Sequence, residues 1–200
     1  MSMTILVAGA TGGTGLHLVQ YLIDRGHKPI ALVRESSDTS SLPQGVDLRH
    51  GDLADLKSGV CDGMDAVIFA AGSGGSTGPE MTEKVDRDGA KRLIDLALES
   101  RVKRFVMLSS IGADQSSPTG DIAPYLKAKH EADEYLKASG LTYSILRPVA
   151  LTNNGRGKEV ILGKDVDKSA KASRADVAYV LAEAATTGRY DGVAQNMQSA

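Results

Sequence analysis

Between Thr4 and Gly15 an apolar run, Ile5-Leu6-Val7-Ala8, breaks into Gly9-Ala10-Thr11-Gly12-Gly13-Thr14-Gly15. Four glycines in seven residues remove Cβ atoms where a backbone must bend sharply and come close to a bulky anion. The chain then becomes helical, and the first turn of a helix offers unpaired N–H groups and a positive dipole end, both suited to a pyrophosphate. The spacing Gly9, Gly12, Gly15 is one position longer than the G-x-G-x-x-G dinucleotide fingerprint. A tight strand-to-helix turn that binds nothing uses the same residues, so the rest of the chain must decide.

Other residues could do chemistry beside such a turn. Arg34 ends the second apolar segment, where an acidic side chain would take a ribose 2′-hydroxyl and a basic one a 2′-phosphate. Ser36, Ser37 and Thr39 could add hydroxyl donors, while Glu35 keeps the reading of Arg34 open. Asp52 follows the third segment and either caps a short helix or accepts from an adenine amino group. Ser109 and Ser110 follow a fifth apolar run and also fit a plain turn. Tyr125 and Lys129 lie four apart, on one side of a helix.

The elements that must position these groups alternate between strand and helix. Leu16, Val19, Leu22 and Ile23 share a helical face. Pro29–Val33 with Arg34, then Val46–His50, Asp65–Gly72, Phe105–Leu108 and Thr142–Arg147 read as strands, and the continuous apolar character of the fourth suits a strand covered on both faces. A helix is predicted from about Glu80 to Ser100, with Gly89 in its interior marking close packing against a ligand or a neighbouring helix; Asp86 and Asp88 read as solvated. Pro124 fits the first position of the helix that carries Tyr125. Gly72–Gly78 reads as a mobile loop beside the site, and the turn cluster Asn153–Lys158 precedes a short strand at Glu159–Leu162. Residues 150–172 read as a substrate-side segment. Ser173-x-x-Asp176 resembles a capping box opening a last helix, and a final strand fits Val193–Met197. The pattern is α/β: a doubly wound parallel sheet in a single domain spanning 1–200.

Composition narrows the partners. The 200 residues carry a net charge of −2, and no basic cluster exceeds two residues, which argues against nucleic acid and anionic membranes. No apolar stretch approaches the length of a membrane span, so the chain reads as soluble and cytoplasmic. Cys61, the single cysteine, permits no intramolecular disulfide and reads as a bland residue. The four histidines, His17, His27, His50 and His130, show no metal-ligand spacing and read as surface residues; no metal is expected.

Taken with Tyr125-x-x-x-Lys129, the glycine turn gives the chain a similarity to the short-chain dehydrogenase/reductase superfamily, specifically its compact atypical branch. The matching pieces span nearly the whole chain: Gly9 to Gly15, Gly51-Asp52-Leu53, Ala70-Ala71-Gly72, Val85-Asp86-x-x-Gly89, Leu108-Ser109-Ser110, Tyr125 with Lys129, Arg147-Pro148, and Arg174-Ala175-Asp176-Val177-Ala178. The resemblance implies a Rossmann-like sheet of about seven strands. It implies a catalytic set of Ser110, Tyr125 and Lys129, with Ser110 matching better than Ser109. It also implies a cofactor, NADP or alternatively NAD, held by Gly9, Thr11, Gly12, Gly13, Thr14, Gly15, Arg34, Asp52, Leu53, Ala70, Ala71, Gly72, Lys129 and Pro148.

The function this implies is an NAD(P)-dependent oxidoreductase acting on a small carbonyl or conjugated compound. Tyr125 would exchange the proton, with the Lys129 ammonium favouring its phenolate and Ser110 holding the substrate oxygen. The alternative is a cofactor-binding regulator that senses redox state without catalysis, since compact members that have lost the tyrosine serve other roles. An epimerase or dehydratase fits less well, because the short C-terminal third leaves little chain for a nucleotide sugar. The partner is a small-molecule substrate, and the chain is expected as a monomer or homodimer.

Overall fold

The structure, a computed structural model, describes residues 1–72, 78–157 and 159–200. The loop read as mobile from the sequence lies mostly outside the described residues, as does Lys158 of the turn cluster. Elements follow the predicted alternation: β1 (Thr4–Ala8), α1 (Gly13–Asp24), β2 (Lys28–Val33), β3 (Asp47–His50), β4 (Ala66–Phe69), α2 (Pro79–Met81), a π-helical stretch (Thr82–Gly89), α3 (Ala90–Glu99), β5 (Arg104–Leu108), α4 (Ala123–Ala138), β6 (Thr142–Pro148), β7 (Ala150–Thr152), β8 (Val160–Leu162), β9 (Lys171–Ser173), α5 (Arg174–Thr187) and β10 (Val193–Ser199).

The main sheet has eight strands in the order β3-β2-β1-β4-β5-β6-β10-β8. Ile5, Leu6, Val7 and Ala8 of β1 pair in parallel with β2 on one side and β4 on the other. Seven strands run parallel; β8 lies antiparallel against β10 and supplies the eighth. A separate parallel pair joins β7 to β9. Strand alternation splits the core between the two faces of the sheet. Ile5 and Val7 pack with Leu18, Leu22, Val177 and Leu181 of α1 and α5. Leu6 and Ala8 pack with Leu93, Ile94, Ala132 and Leu136 of α3 and α4. Burying each such leucine or isoleucine contributes about 1.5 to 3 kcal/mol, which is why β1, β4 and β5 read as continuous apolar runs.

The order reverses between β1 and β4, so connections leave in opposite directions there and open a crevice at the carboxyl ends. The glycine turn fills its floor. Gly9 has φ +84°, and a Cβ on it would stand 2.6 Å from the Ala71 nitrogen. A Cβ on Gly15 would stand 2.0 Å from the Gly9 carbonyl oxygen, so only a hydrogen lets α1 sit directly over the end of β1.

Three local expectations differ in detail. Gly89 packs against a loop, not a helix or ligand: its Cβ would meet the Leu53 carbonyl oxygen at 2.7 Å. Pro124 is the second residue of α4, one place later than expected, because Ala123 begins the helix. The capping box forms by half. Ser173 Oγ accepts from the Asp176 N–H at 3.0 Å, but the Asp176 carboxylate instead accepts from the Gly157 N–H and the Ser199 hydroxyl.

Candidate cofactor and active site

Two cavities meet at the crevice. The first, about 380 Å³, is lined by Gly9, Thr11, Gly12, Arg34, Ser37, Asp52, Leu53 and residues 70–72, with Met81 and Val85 at its side. The second, about 680 Å³, is lined by Gly12, Gly13, Thr14 and residues 70–72, then Ser109, Asp121, Tyr125, Lys129, Leu151 and Arg174. The shared wall of Gly12 and residues 70–72 makes them one cleft across the carboxyl ends of β1 and β4. Gly12 is the turn residue with room above it: a Cβ there would meet only the Gly9 carbonyl oxygen, at 3.3 Å. The cleft therefore has a floor of backbone that leaves room for a bulky anion, with a cavity on either side of it.

At the first cavity, Arg34 follows β2 and its N–H donates to Ser37 Oγ at 3.1 Å. Glu35, the neighbour that could neutralise it, has its carboxylate 3.2 Å from His50 Nδ1, and Arg34 makes no ion pair among the described residues. Asp52 caps no helix. Its Oδ1 accepts from the Ala54 N–H at 2.9 Å, closing an Asx turn, and the chain beyond continues as turns up to β4.

At the second cavity, α4 brings Tyr125 and Lys129 together, with the Lys129 Nζ 5.7 Å from the Tyr125 ring centroid. Lys129 is only 2% exposed. Its Nζ lies 3.0 Å from Asp86 Oδ1, with longer hydrogen bonds to the Leu108 and Ala71 carbonyls. Asp86 is thus no solvated residue: it is fully buried, carried to the sheet by the π-helical stretch. Burial pushes the Lys129 pKa down, but the Tyr125, Asp86 and Asp133 charges outweigh it, and the net shift is upward. The lysine remains an ammonium.

A second buried group lies beside it. Asp133 Oδ2 accepts from Arg147 Nε and from Ser109 Oγ, each at 2.9 Å. Burial raises the Asp133 pKa; Arg147, the Ser109 hydrogen bond and Lys129 oppose that rise without cancelling it. Ser109, not Ser110, lines the cleft. Ser109 continues the face of β5 that meets α4, while Ser110, one residue on, is half-buried with its hydroxyl 3.4 Å from the Ile111 carbonyl. Pro148 lies buried in β6, accepting from the Ile111 N–H through its carbonyl, and is on the wall of neither cavity. Gly15 sits beneath the turn and shapes the cleft without lining it.

Asp86 and Asp133 escaped the sequence reading, although the signal was present. Asp86, Ala90, Leu93 and Ala97 form one stripe at helical spacing, as do Lys129, Ala132, Asp133 and Leu136, so both carboxylates sit in positions that face the sheet. Elsewhere, Cys61 is fully buried and its thiol pKa is pushed up to about 12. His27 and His130 are half-buried and bonded to backbone at Met3 and Ala113, unlike the surface positions expected. Among the described residues no cluster of histidine, cysteine or carboxylates could hold a metal, and no helix is long and apolar enough to cross a membrane.

Fold and cleft together define an NAD(P)-binding Rossmann protein. The sequence profile of the family described as NAD(P)H-binding matches residues 9–187, and the chain belongs to that family, within the atypical short-chain dehydrogenase/reductase branch. It is 39% identical over 184 residues to the Bacillus subtilis "Uncharacterized sugar epimerase YhfK", covering 88% of this chain and 85% of that one. Two solved structures are also similar. A Bacillus halodurans protein provisionally named an NAD-dependent epimerase/dehydratase has a TM-score of 0.90 at 32% identity, covering 100% of this chain and 95% of the other. The Lactococcus lactis oxidoreductase ylbE has a TM-score of 0.85 at 30% identity, covering 99% and 91%.

The buried pair yields a stability prediction. Asp86→Asn leaves the Lys129 ammonium uncompensated in a dry site, and loss of one partner of a buried pair typically costs about 3 to 5 kcal/mol. Urea unfolding should show a loss of that order, recovered largely by Asp86→Asn combined with Lys129→Met. Because the folded pKa of Lys129 is raised, its contribution is fully present below about pH 10.4, the unfolded value, and is lost as pH rises through the folded one. In Asp86→Asn burial pulls the Lys129 pKa down with less to oppose it, so the deficit should be largest near pH 6 and shrink toward pH 9 as the variant's lysine sheds its proton; a deficit below about 1 kcal/mol at pH 6 would show that the pair is not desolvated.

Proposed function

We propose that the chain is an NADP(H)-preferring oxidoreductase that reduces a small carbonyl or conjugated compound. The observation that carries this is one cleft holding the glycine turn and Arg34 in its first half and Tyr125 beside a charged, buried Lys129 in its second. The bound nicotinamide cofactor would supply the hydride. The N–H groups of Gly13 and Thr14 at the start of α1 would hold its pyrophosphate, with Gly12 leaving room for it, Arg34 would take its 2′-phosphate, and Asp52 and Leu53 would flank its adenine.

Tyr125 is the proton donor in this reading, giving its phenolic proton to the substrate oxygen. The ammonium of Lys129 stabilises the negative charge left behind. Two unit charges about 6 Å apart at an effective dielectric near 20 interact by roughly 3 kcal/mol, and Asp86 on the same ammonium reduces that figure. Asp86 in return fixes the lysine in place. Ser110 holds the substrate oxygen in the family set. Ser109 is the serine whose placement in the cleft supports that role here; its one hydroxyl proton, donated to Asp133, would turn to the substrate oxygen, leaving Asp133 its bond from Arg147. Residues 150–172 would form the substrate side, a reading supported by Leu151 in the wall of the second cavity.

A redox-sensing role without turnover draws support from the burial of Lys129, whose three protein partners leave few donors for a ligand. A panel of aldehydes, ketones and conjugated carbonyls, followed by nicotinamide absorbance, separates the two. With a substrate in hand, Tyr125→Phe should lower kcat by about 10²-fold or more and leave the NADPH Kd nearly unchanged. Undiminished kcat would assign the proton to another group. Independently, Arg34→Ala should erode the preference for NADPH over NADH by roughly 10- to 150-fold, the value of a charge-assisted contact. An unchanged ratio of the two affinities makes Arg34 a surface side chain.

A further inference from the structure

Arg174 is the first residue of α5, a position where the helix dipole disfavours a cation and where the sequence offers no acidic partner within the turn to compensate: the one acid there, Asp176, is buried and committed to Gly157 and Ser199. The side chain lies instead across the phosphate turn. A Cβ on Gly13 would stand 2.9 Å from Arg174 Cδ and 3.1 Å from its Nε, so the stem rests on the first residue of α1. Nη1 donates to Asn153 Oδ1 at 2.8 Å, and among the described residues this is its one side-chain hydrogen bond. Asp121 lines the same cavity and makes no ion pair with it. The guanidinium is therefore anchored at one nitrogen, with its Nε edge beside Gly13 and no carboxylate to neutralise it.

The glycine turn itself, Gly9 to Gly15, contains no basic residue. A pyrophosphate resting on it carries about two negative charges that backbone N–H groups solvate without neutralising. We propose that Arg174 supplies that charge, closing over the pyrophosphate from the α5 side as a clamp on the dinucleotide. This rests on the cofactor reading above and adds to it a specific residue outside the glycine turn. Asn153 acts as the positioning residue that holds the guanidinium over Gly13.

The test is direct binding of three ligands to wild type, Arg174→Met and Arg174→Lys: NADPH, ADP-ribose, which keeps the pyrophosphate without the nicotinamide, and 2′-AMP, which keeps the adenosine half alone. Arg174→Met should weaken NADPH and ADP-ribose by at least tenfold each, the lower value of a charge-assisted contact, and leave 2′-AMP within twofold. Its melting temperature without ligand should be equal to or above wild type, because a cation has left a helix N-terminus. Unchanged ADP-ribose affinity overturns the proposal alone and turns Arg174 toward an anionic substrate, which a raised substrate KM would report. A wild type that binds none of the three overturns the cofactor reading and the clamp with it. If Arg174→Met loses 2′-AMP as well, the lysine variant decides: ADP-ribose binding within tenfold of wild type upholds the charge role, and its loss overturns it.

Discussion

Where β1 gives way to α1 the backbone turns back so closely that the Cβ of any residue but glycine at position 15 would lie 2.0 Å from the Gly9 carbonyl oxygen. That contact sets the distance between the first helix and the central strand, and hence the aim of the helix N-terminus. Since β1 is the strand at which connections reverse, the start of α1 at Gly13 and Thr14 borders the crevice between β1 and β4, while the Gly12 N–H is spent inside the turn on the Gly9 carbonyl. The wall of the first cavity comes from β2 and the loop at Asp52; that of the second comes from β5 and α4. Moving α1 outward by the ångström or more that a methyl group at position 15 needs would uncouple the two walls from the floor they share.

A second constraint is electrostatic. The face of the sheet covered by α3 and α4 contains the buried Lys129–Asp86 and Arg147–Asp133 pairs within an otherwise apolar cluster. Buried pairs are weak stabilisers compared with apolar residues of the same shape, so stability does not explain their presence. Their location does: Lys129 and Ser109, one from each pair's hydrogen-bonding set, reach the cleft wall. Each carboxylate fixes a polar side chain that would otherwise rotate or draw in water, so the second cavity keeps a defined charge beside Tyr125.

Much of this was legible in the sequence, and the exceptions have physical causes. Central strands such as Ile5–Ala8 and Ala66–Phe69 declare themselves because both faces are covered, and the glycine turn because no other residue fits it. The short strand at Glu159–Leu162 was legible as a strand, but its place as the eighth of the main sheet was not, since at three residues it joins only by antiparallel pairing with β10, a tertiary fact. Asp86 was read as solvated because charge outweighed periodicity in that judgement; its place on the stripe with Leu93 and Ala97 carried the correct information. Ser109 and Ser110 differ by one residue, and the choice between them depends on which face of β5 meets α4. That is a tertiary fact, and spacing alone does not contain it.

The account depends above all on the cleft being a dinucleotide site, and Gly12 is the residue at which this can be separated from folding. A side chain there meets only the Gly9 carbonyl oxygen, at 3.3 Å, yet projects over the floor shared by both cavities. Calorimetric titration of wild type and Gly12→Val with NADPH and NADH, alongside thermal melts, therefore gives the most direct reading. Binding by wild type, loss of at least a hundredfold in the variant and melting temperatures within a few degrees of each other are the expected result. A variant that binds either nucleotide as tightly as wild type would contradict the account.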